Sequence, residues 1–185
     1  MPVVISLLRA VNVGGHNKIK MDALRALYGS LGLRDAQTYV QSGNVVFRSA
    51  GRDSARLQKE IQNAIAGKFG FRPDVVLRST PEWKAAAAAN PFRRRPDLDP
   101  AKLQVMFLAG APAPQAAKAL LELRAAQEEL KLIGRELYVY YPQGMGQSKL
   151  FSTALEKTLE VPGTSRNWNT VSKLLEMAEA LEAAG

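Results

Sequence analysis

The chain has 185 residues, of which 46% are hydrophobic and 23% charged, a composition ordinary for a globular protein with a substantial core. No apolar run approaches the roughly 20 residues that span a bilayer, and residues 1–9 lack the basic leader and cleavage site of a signal peptide. The absence of cysteine excludes disulfides, thiolate catalysis and cysteine-ligated metals. We therefore expect a cytoplasmic protein with no membrane partner.

The net charge of +8 is concentrated in the first half of the sequence. Residues 1–95 hold 16 Lys and Arg against 6 Asp and Glu, a net of +10. Residues 96–185 hold 9 against 11, a net of −2. Such an excess indicates either an anionic partner or ligand in the first half, or a solubilising surface without a specific partner.

The first 79 residues predict the element order β-α-β-β-α-β of a ferredoxin-like fold. Gly32 and Gly70 are typical of residues that follow a helix end, and Asp53 is typical of a helix cap. The predicted elements are a strand Val3–Leu8, a helix over 21–31, strands over 36–41 and 45–48, a helix from 53 to about 69, and a strand over 74–78.

Residues 80–100 predict a connector: a helix capped by Thr80, then a linker over 90–100 with three prolines. Residues 101–185 repeat the element order of the first half without matching residues. We therefore predict an α+β protein of two ferredoxin-like halves with antiparallel sheets, residues 1–79 and 101–185, and with a C-terminal helix. The second half predicts a strand Leu103–Leu108, a helix over 114–124, strands over 130–133 and 136–141, a helix capped by Ser148, an extended piece over 164–168 and a helix over 170–181.

The predicted topology brings two polar loops together. The strand order of a ferredoxin-like sheet is four, one, three, two, so the end of strand one lies beside the start of strand three. Residues 10–18 leave strand one there, residues 42–44 turn into strand three there, and the first helix begins there with unpaired N–H groups. The candidate ligand-binding residues of this end are Asn12, Gly14, Gly15, His16, Lys18, Ser42, Gly43 and Asn44.

These residue types favour binding of a small anion. Glycines allow a ligand to approach the backbone, Lys18 supplies a positive charge, and the amides supply hydrogen bonds. The loop is neither a Walker A sequence nor a G-x-G-x-x-G fingerprint, so no nucleotide cofactor is identified. Turn formation alone is the alternative explanation of the same residues. His16, the one histidine, could act as a general acid or base or simply as a hydrogen-bonding residue, and it excludes a histidine-rich metal site.

A second polar cluster is predicted in the other half. The strand over 136–141 and the piece over 164–168 should end at one edge, which places Lys149 near Arg166, Asn167 and Asn169. The two cations and the N-terminus of the last helix favour an anion or carboxylate there. The alternative is a helix cap formed by Asn169 or Thr170.

Several long segments resemble the bacterial family catalogued as domain of unknown function 1697, over nearly the whole chain. That resemblance implies an α+β protein of ferredoxin-like elements and implies no activity, cofactor or catalytic residue. The segments are residues 7–18 (LLRAVNVGGHNK), 39–47 (YVQSGNVVF), 90–92 (NPF), 141–144 (YPQG), 148–150 (SKL) and 164–171 (TSRNWNTV).

Three functions are compatible with the sequence. The first is binding of a small phosphate- or carboxylate-bearing ligand at the Gly/Asn-rich loops, with catalysis left open. The second is a basic nucleic-acid-binding module, although strands one and three offer only Phe47 for base stacking. The third is an interaction or scaffolding protein, which requires an exposed apolar patch. The sequence does not define an oligomeric state.

Overall fold

The computed structural model describes residues 1–123, 127–150 and 152–185. The chain forms two compact units, residues 1–85 with 173–185, and residues 86–172. Eight strands are described: β1 (Val3–Leu8), β2 (Arg34–Tyr39), β3 (Asn44–Arg48), β4 (Val75–Ser79), β5 (Leu103–Leu108), β6 (Glu129–Ile133), β7 (Glu136–Tyr140) and β8 (Gly163–Asn167). The described α-helices are α1 (Met21–Ser30), α2 (Ser54–Phe69), α3 (Thr80–Ala88), α4 (Pro114–Glu122), α5 (Ser152–Leu159) and α6 (Trp168–Ala183).

The sheet of the first unit has the order β2-β3-β1-β4, and every neighbouring pair is antiparallel. This confirms the predicted order four, one, three, two. Strand β2 ends at Tyr39, before the predicted end at 41, because Val40 adopts a left-handed φ of 51°. Left-handed backbone departs from the extended strand conformation, and the pairing of β2 with β3 stops at Tyr39.

The core of the first unit lies between this sheet and helices α1 and α2. Tyr28 of α1 is completely buried, shares a 2.8 Å hydrogen bond with Ser6 Oγ, and packs edge-to-face on Phe47 at 5.2 Å. Burial raises the pKa of Tyr28 well above its usual value, so its hydroxyl stays neutral. Asp53 caps α2 as predicted, since its carboxylate accepts from Arg56 N–H at 2.8 Å. The buried core residues of this unit include Leu8, Leu24, Val45, Leu57, Ile61 and Ile65.

The second unit repeats the same topology, with the sheet order β6-β7-β5-β8 and antiparallel neighbours throughout. The predicted α+β fold of two ferredoxin-like halves with a C-terminal helix is therefore confirmed. Its core, below the helices α4 and α5, contains Met106, Leu108, Leu120, Leu137, Val139, Tyr141, Leu155 and Leu159. Two predicted helical residues, Arg124 and Phe151, lie outside the described residues.

Two predicted helix starts were wrong. A short 3-10 helix Met145–Gln147 precedes Ser148, and α5 begins at Ser152. Ser148 Oγ accepts from Leu150 N–H at 3.0 Å, so it closes a local turn rather than capping a helix. The last helix begins at Trp168 instead of 170, because Asn167 Oδ1 accepts from Thr170 N–H at 2.9 Å. Asn167 is thus the cap, in place of Asn169 or Thr170.

The two halves also match at a buried arginine that the sequence did not reveal. Arg78 of β4 pairs with Ile5 of β1, and Arg166 of β8 pairs with Val105 of β5, so both arginines occupy the same register of the fourth strand. Both are buried. Within the described residues, no helix is both long and apolar enough to span a bilayer.

Candidate functional site

The two polar loops of the first unit meet at one end of the sheet, as the topology predicted. Leu7 of β1 pairs with Asn44 of β3, and the N–H of Leu8 donates to the carbonyl of Gly43 at 2.9 Å. The residues that follow β1 and the turn that precedes β3 are therefore neighbours in space. This neighbourhood contains eight of the predicted ligand-binding residues.

Asn12 ties the two loops together. Its side-chain N–H₂ group donates to the carbonyl of Ile19 at 3.0 Å and to the carbonyl of Gln41 at 2.8 Å. Its side-chain oxygen accepts from Ile19 N–H at 2.9 Å. Both donors and one acceptor position of the amide are therefore bonded to the protein backbone. Asn12 shapes the site, and binding by its side chain stays a prediction.

The turn before β3 is held in the same way. The buried Asn44 side chain donates to the carbonyl of Tyr39 and to Ser42 Oγ, both at 2.9 Å. Gly43 has a φ of 77°, and a Cβ atom there would lie 2.7 Å from the Cβ of Leu8. Only glycine fits both the conformation and the space. Ser42, Gly43 and Asn44 therefore account for the geometry of the turn.

Left-handed backbone is concentrated in these two loops. In the described parts of the chain, six non-glycine residues have a positive φ, and Ala10, Asn12, Asn17 and Val40 are four of them. Val40 is the least expected, because a β-branched side chain rarely adopts this conformation. It is 50% exposed, so burial in the core does not account for it. Strain of this kind persists where the surrounding structure enforces it, commonly at functional sites.

The two loops, up to the residue that precedes α1, line an open cavity of about 580 Å³, which we name the loop-pair cavity. Three of the predicted residues line it, and three lining residues were missed. Lys20 immediately precedes α1, and Gln41 immediately precedes the predicted turn. These positions in the sequence were the available signal that both residues lie at the site. The lining residues are Asn12, Gly15, Lys18, Ile19, Lys20 and Gln41.

The electrostatics of the loop-pair cavity are positive. Lys18 and Lys20 are exposed, and neither has an ion-pair partner among the residues described. Asp22, the acidic residue in the first turn of α1, is paired with Arg25. Arg25 also donates to Thr38 Oγ1 at 2.5 Å. The carboxylate of Asp22 is thus already neutralised by Arg25.

The second unit is an internal comparison for these loops, since it makes the same connections with fewer residues. Twelve residues, 9–20, join β1 to α1, whereas five, 109–113, join β5 to α4. Four residues, 40–43, join β2 to β3, whereas two, 134–135, join β6 to β7. The N–H of Leu108 donates to the carbonyl of Arg135 at 2.9 Å, as Leu8 does to Gly43. The fold alone does not require the longer loops.

His16 lies in an exposed turn that its own N–H closes on the carbonyl of Val13 at 3.0 Å. It does not line the loop-pair cavity, and neither does Gly14. In the described residues no carboxylate is hydrogen-bonded to the His16 ring. A role as general acid or base therefore gains no geometric support.

The second predicted cluster is brought only to a common edge of the sheet. Strands β7 and β8 end on either side of the start of β5, as predicted. Arg166 is buried, and its guanidinium donates to Thr164 Oγ1 at 2.7 Å and to the carbonyl of Ser165 at 2.8 Å. Burial lowers the pKa of Arg166 to about 10. Lys149 and Asn169 are exposed and Asn167 caps α6, so a ligand held by all four stays a prediction.

The fold and its paired loops define an α+β protein of two ferredoxin-like halves with a cavity lined by two lysines at one end of the first sheet. The family model described as protein of unknown function (DUF1697) matches residues 1–138, and the chain belongs to that family. The solved structure of the conserved bacterial protein SP0830 from Streptococcus pneumoniae is similar, with 23% sequence identity and a TM-score of 0.77. The match covers 96% of this chain and 98% of that chain, and it shows a shared fold. No curated protein matches the chain.

Proposed function

We propose that the protein binds a small phosphate- or carboxylate-bearing ligand in the loop-pair cavity. The observation that carries this proposal is that Lys18 and Lys20 line one cavity of about 580 Å³. That volume falls within the range of small-molecule sites. Residues 15 and 19 add a glycine and an apolar side chain to the wall.

The start of α1 supports an anion at this position. The first N–H groups of a helix lack intrahelical partners, and its macrodipole favours a nearby negative charge by about 0.3–1 kcal/mol. The helix begins at Met21, and the side chain of its cap residue, Lys20, makes no capping hydrogen bond. A ligand oxygen can therefore satisfy donors that the chain itself leaves to solvent.

The length and the strain of the loops also support a binding role. The second unit forms the same fold with five and two residues in place of twelve and four. Three left-handed non-glycine residues, Ala10, Asn12 and Asn17, lie in the longer segment of the first unit. A strained left-handed residue costs about 1–3 kcal/mol of conformational free energy. Building the sheet does not require these strained conformations.

The test measures the melting temperature and the affinity with three probes: inorganic phosphate, pyrophosphate and acetate. We expect at least one probe to raise the melting temperature of the wild type by mass action. Loss of a charge-assisted hydrogen bond should weaken that binding about tenfold or more in Lys18→Gln and in Lys20→Gln.

Lys59→Gln is the matched control, because Lys59 is exposed on α2 outside the cavity and its change removes the same charge. The control should bind the probe like the wild type. Equal weakening in Lys18→Gln and Lys59→Gln would show only non-specific attraction to net charge, and the proposal would then be rejected. It would also be rejected if no probe stabilised the wild type.

The nucleic-acid alternative has less support in the structure. Phe47 is completely buried and packs on Tyr28, so it offers no face for base stacking. The charge is also more even than the sequence halves indicated. The first unit has 14 Lys and Arg against 9 Asp and Glu, a net of +5, and the second has 11 against 8, a net of +3. Salt-dependent binding of a polynucleotide remains the measurement for this prediction.

A further inference from the structure

Strand β6 lies at the edge of the second sheet. The sheet order is β6-β7-β5-β8, so β6 has one neighbouring strand and its other side has none. Residues of α4 and of β6 line an open cavity of about 410 Å³, which we name the edge cavity. The lining includes three consecutive strand residues, 130–132. Because successive residues of a strand face opposite sides of a sheet, a cavity that reaches all three lies along the edge of the strand.

The hairpin geometry determines which backbone groups face this edge. Strands β6 and β7 are joined by residues 134–135 alone, and the residues that flank this turn pair with each other. In a two-residue hairpin the flanking residues form a hydrogen-bonded pair, and such pairs alternate with non-hydrogen-bonded ones along the strands. The odd-numbered residues of β6 therefore bond to β7, whereas the N–H and C=O groups of Leu130 and Leu132 point to the open edge. No described residue hydrogen-bonds to these outward groups.

The corresponding edge of the first unit is interrupted. Strand β2 has a register shift between Arg34 and Gln37, and Asp35 there has a left-handed φ of 54°. Arg25 of α1 also donates to Thr38 Oγ1, so a side chain bridges the helix and the edge strand. Strand β6, in contrast, pairs with β7 residue by residue without a bulge. Since a bulge protects an edge from a further strand, β6 is the more suitable of the two edges for pairing.

The exposed side chains of β6 are complementary to a second copy of the same strand. Glu129 and Lys131 are two residues apart and exposed, so they lie on one face of the strand. Glu129 pairs with Arg95, and Lys131 has no ion-pair partner among the described residues. Leu121, which lines the edge cavity from α4, is 81% exposed. When two copies of β6 run antiparallel with Leu130 opposite Leu130, Glu129 of each copy lies opposite Lys131 of the other.

We propose that β6 pairs antiparallel with β6 of a second copy of the chain, with Leu130 at the two-fold axis. The two Leu130 residues exchange N–H to carbonyl hydrogen bonds, and the two four-stranded sheets become one continuous sheet. Glu129 and Lys131 form two symmetric cross-strand ion pairs, and the second copy covers part of Leu121. A register with Lys131 at the axis is disfavoured, because it places like charges opposite each other.

The experiment measures self-association of the full chain by sedimentation equilibrium. We expect a dimer whose fraction rises with protein concentration. Lys131→Glu and Glu129→Lys should each weaken dimerisation about tenfold or more, because each replaces two attractive pairs by two repulsive ones. An equimolar mixture of the two variants should associate like the wild type, since the mixed pair again has opposite charges at both positions. Thermal melting confirms that each variant is folded.

Lys157→Glu is the matched control, because it makes the same change of charge on α5. That helix contacts β8, the strand at the opposite edge of the sheet, so this variant should dimerise like the wild type. Amide hydrogen exchange tests the backbone contact. The N–H of Leu130 should exchange more slowly as the protein concentration rises, whereas the N–H of Lys131, which bonds to β7 in the monomer and in the dimer, should change less.

Four results would overturn the proposal. The first is a wild type that stays monomeric up to about 1 mM, in which case the edge cavity belongs to a ligand or to another protein. The second is a mixture of the two β6 variants that associates no better than either alone. The third is equal weakening in Lys157→Glu and Lys131→Glu, and the fourth is exchange at Leu130 that does not depend on concentration. Each result concerns an edge of the second unit, so none of them affects the anion proposal for the loop-pair cavity.

Discussion

Asn12 should contribute far more to stability than Asn17, although both are asparagines of the same loop with left-handed φ values of 56° and 51°. Asn12 makes three side-chain hydrogen bonds, two with Ile19 and one with Gln41. Asn17 makes one, which its side-chain N–H₂ group donates to the carbonyl of Ala10 at 3.1 Å. Because glycine tolerates a positive φ, substitution by glycine removes these bonds without adding backbone strain.

The expected magnitudes follow from the number of bonds. A typical hydrogen bond has a net value of about 0.5–1.5 kcal/mol, so Asn12→Gly should lower the free energy of unfolding by about 2–4 kcal/mol and Asn17→Gly by about 1 kcal/mol. Urea denaturation, followed by circular dichroism, measures both losses. Equal losses in the two variants would refute the view that Asn12 is the residue that joins the loops.

Two further predictions use other parts of the chain. Gly43→Ala should lower the free energy of unfolding by about 2–4 kcal/mol, since its Cβ would lie 2.7 Å from that of Leu8 at a φ of 77°. Gly51→Ala is the control: it has a φ of 60° and open space around it, and it should cost about 1 kcal/mol. Tyr141 has a pKa of about 12 in the folded chain and 10.0 as a free side chain, so its contribution is complete below pH 10 and is lost as the pH rises from 10 to 12. The fall, up to about 3 kcal/mol, should be smaller in Tyr141→Phe when unfolding is measured across that pH range. Equal costs for the two glycines, or equal pH slopes for Tyr141 and its variant, would contradict these assignments.

Local patterns predicted the fold where neighbouring residues decide the structure. The run Val3–Leu8 is the observed strand β1, Asp53 caps α2, and the handedness of the crossover determines the strand order. The failures depend on distant partners. Ser148 has the residue type of a helix cap, but its hydroxyl donates to Glu128, which lies 20 positions earlier in the chain.

The same limit applies to the candidate site. The sequence placed the two loops together, because this follows from topology alone. It did not indicate which polar groups line the cavity and which bond to the backbone. Asn12 bonds to the carbonyl of Gln41, 29 positions away, and that contact appears only when the loops are in place. Lys20 and Gln41 were also missed as lining residues, although each lies directly beside a predicted element of the site.

The second unit separates what this fold needs from what the loops of the first unit add. Both units pair the residue that ends the first strand with the turn before the third, through N–H to carbonyl bonds of 2.9 Å at Leu8 and Leu108. The second unit does so with short connections, whereas the first adds left-handed residues such as Val40 and two lysines at a cavity. The fold does not need this added strain and charge, and we therefore propose that they set the shape and the potential of the cavity.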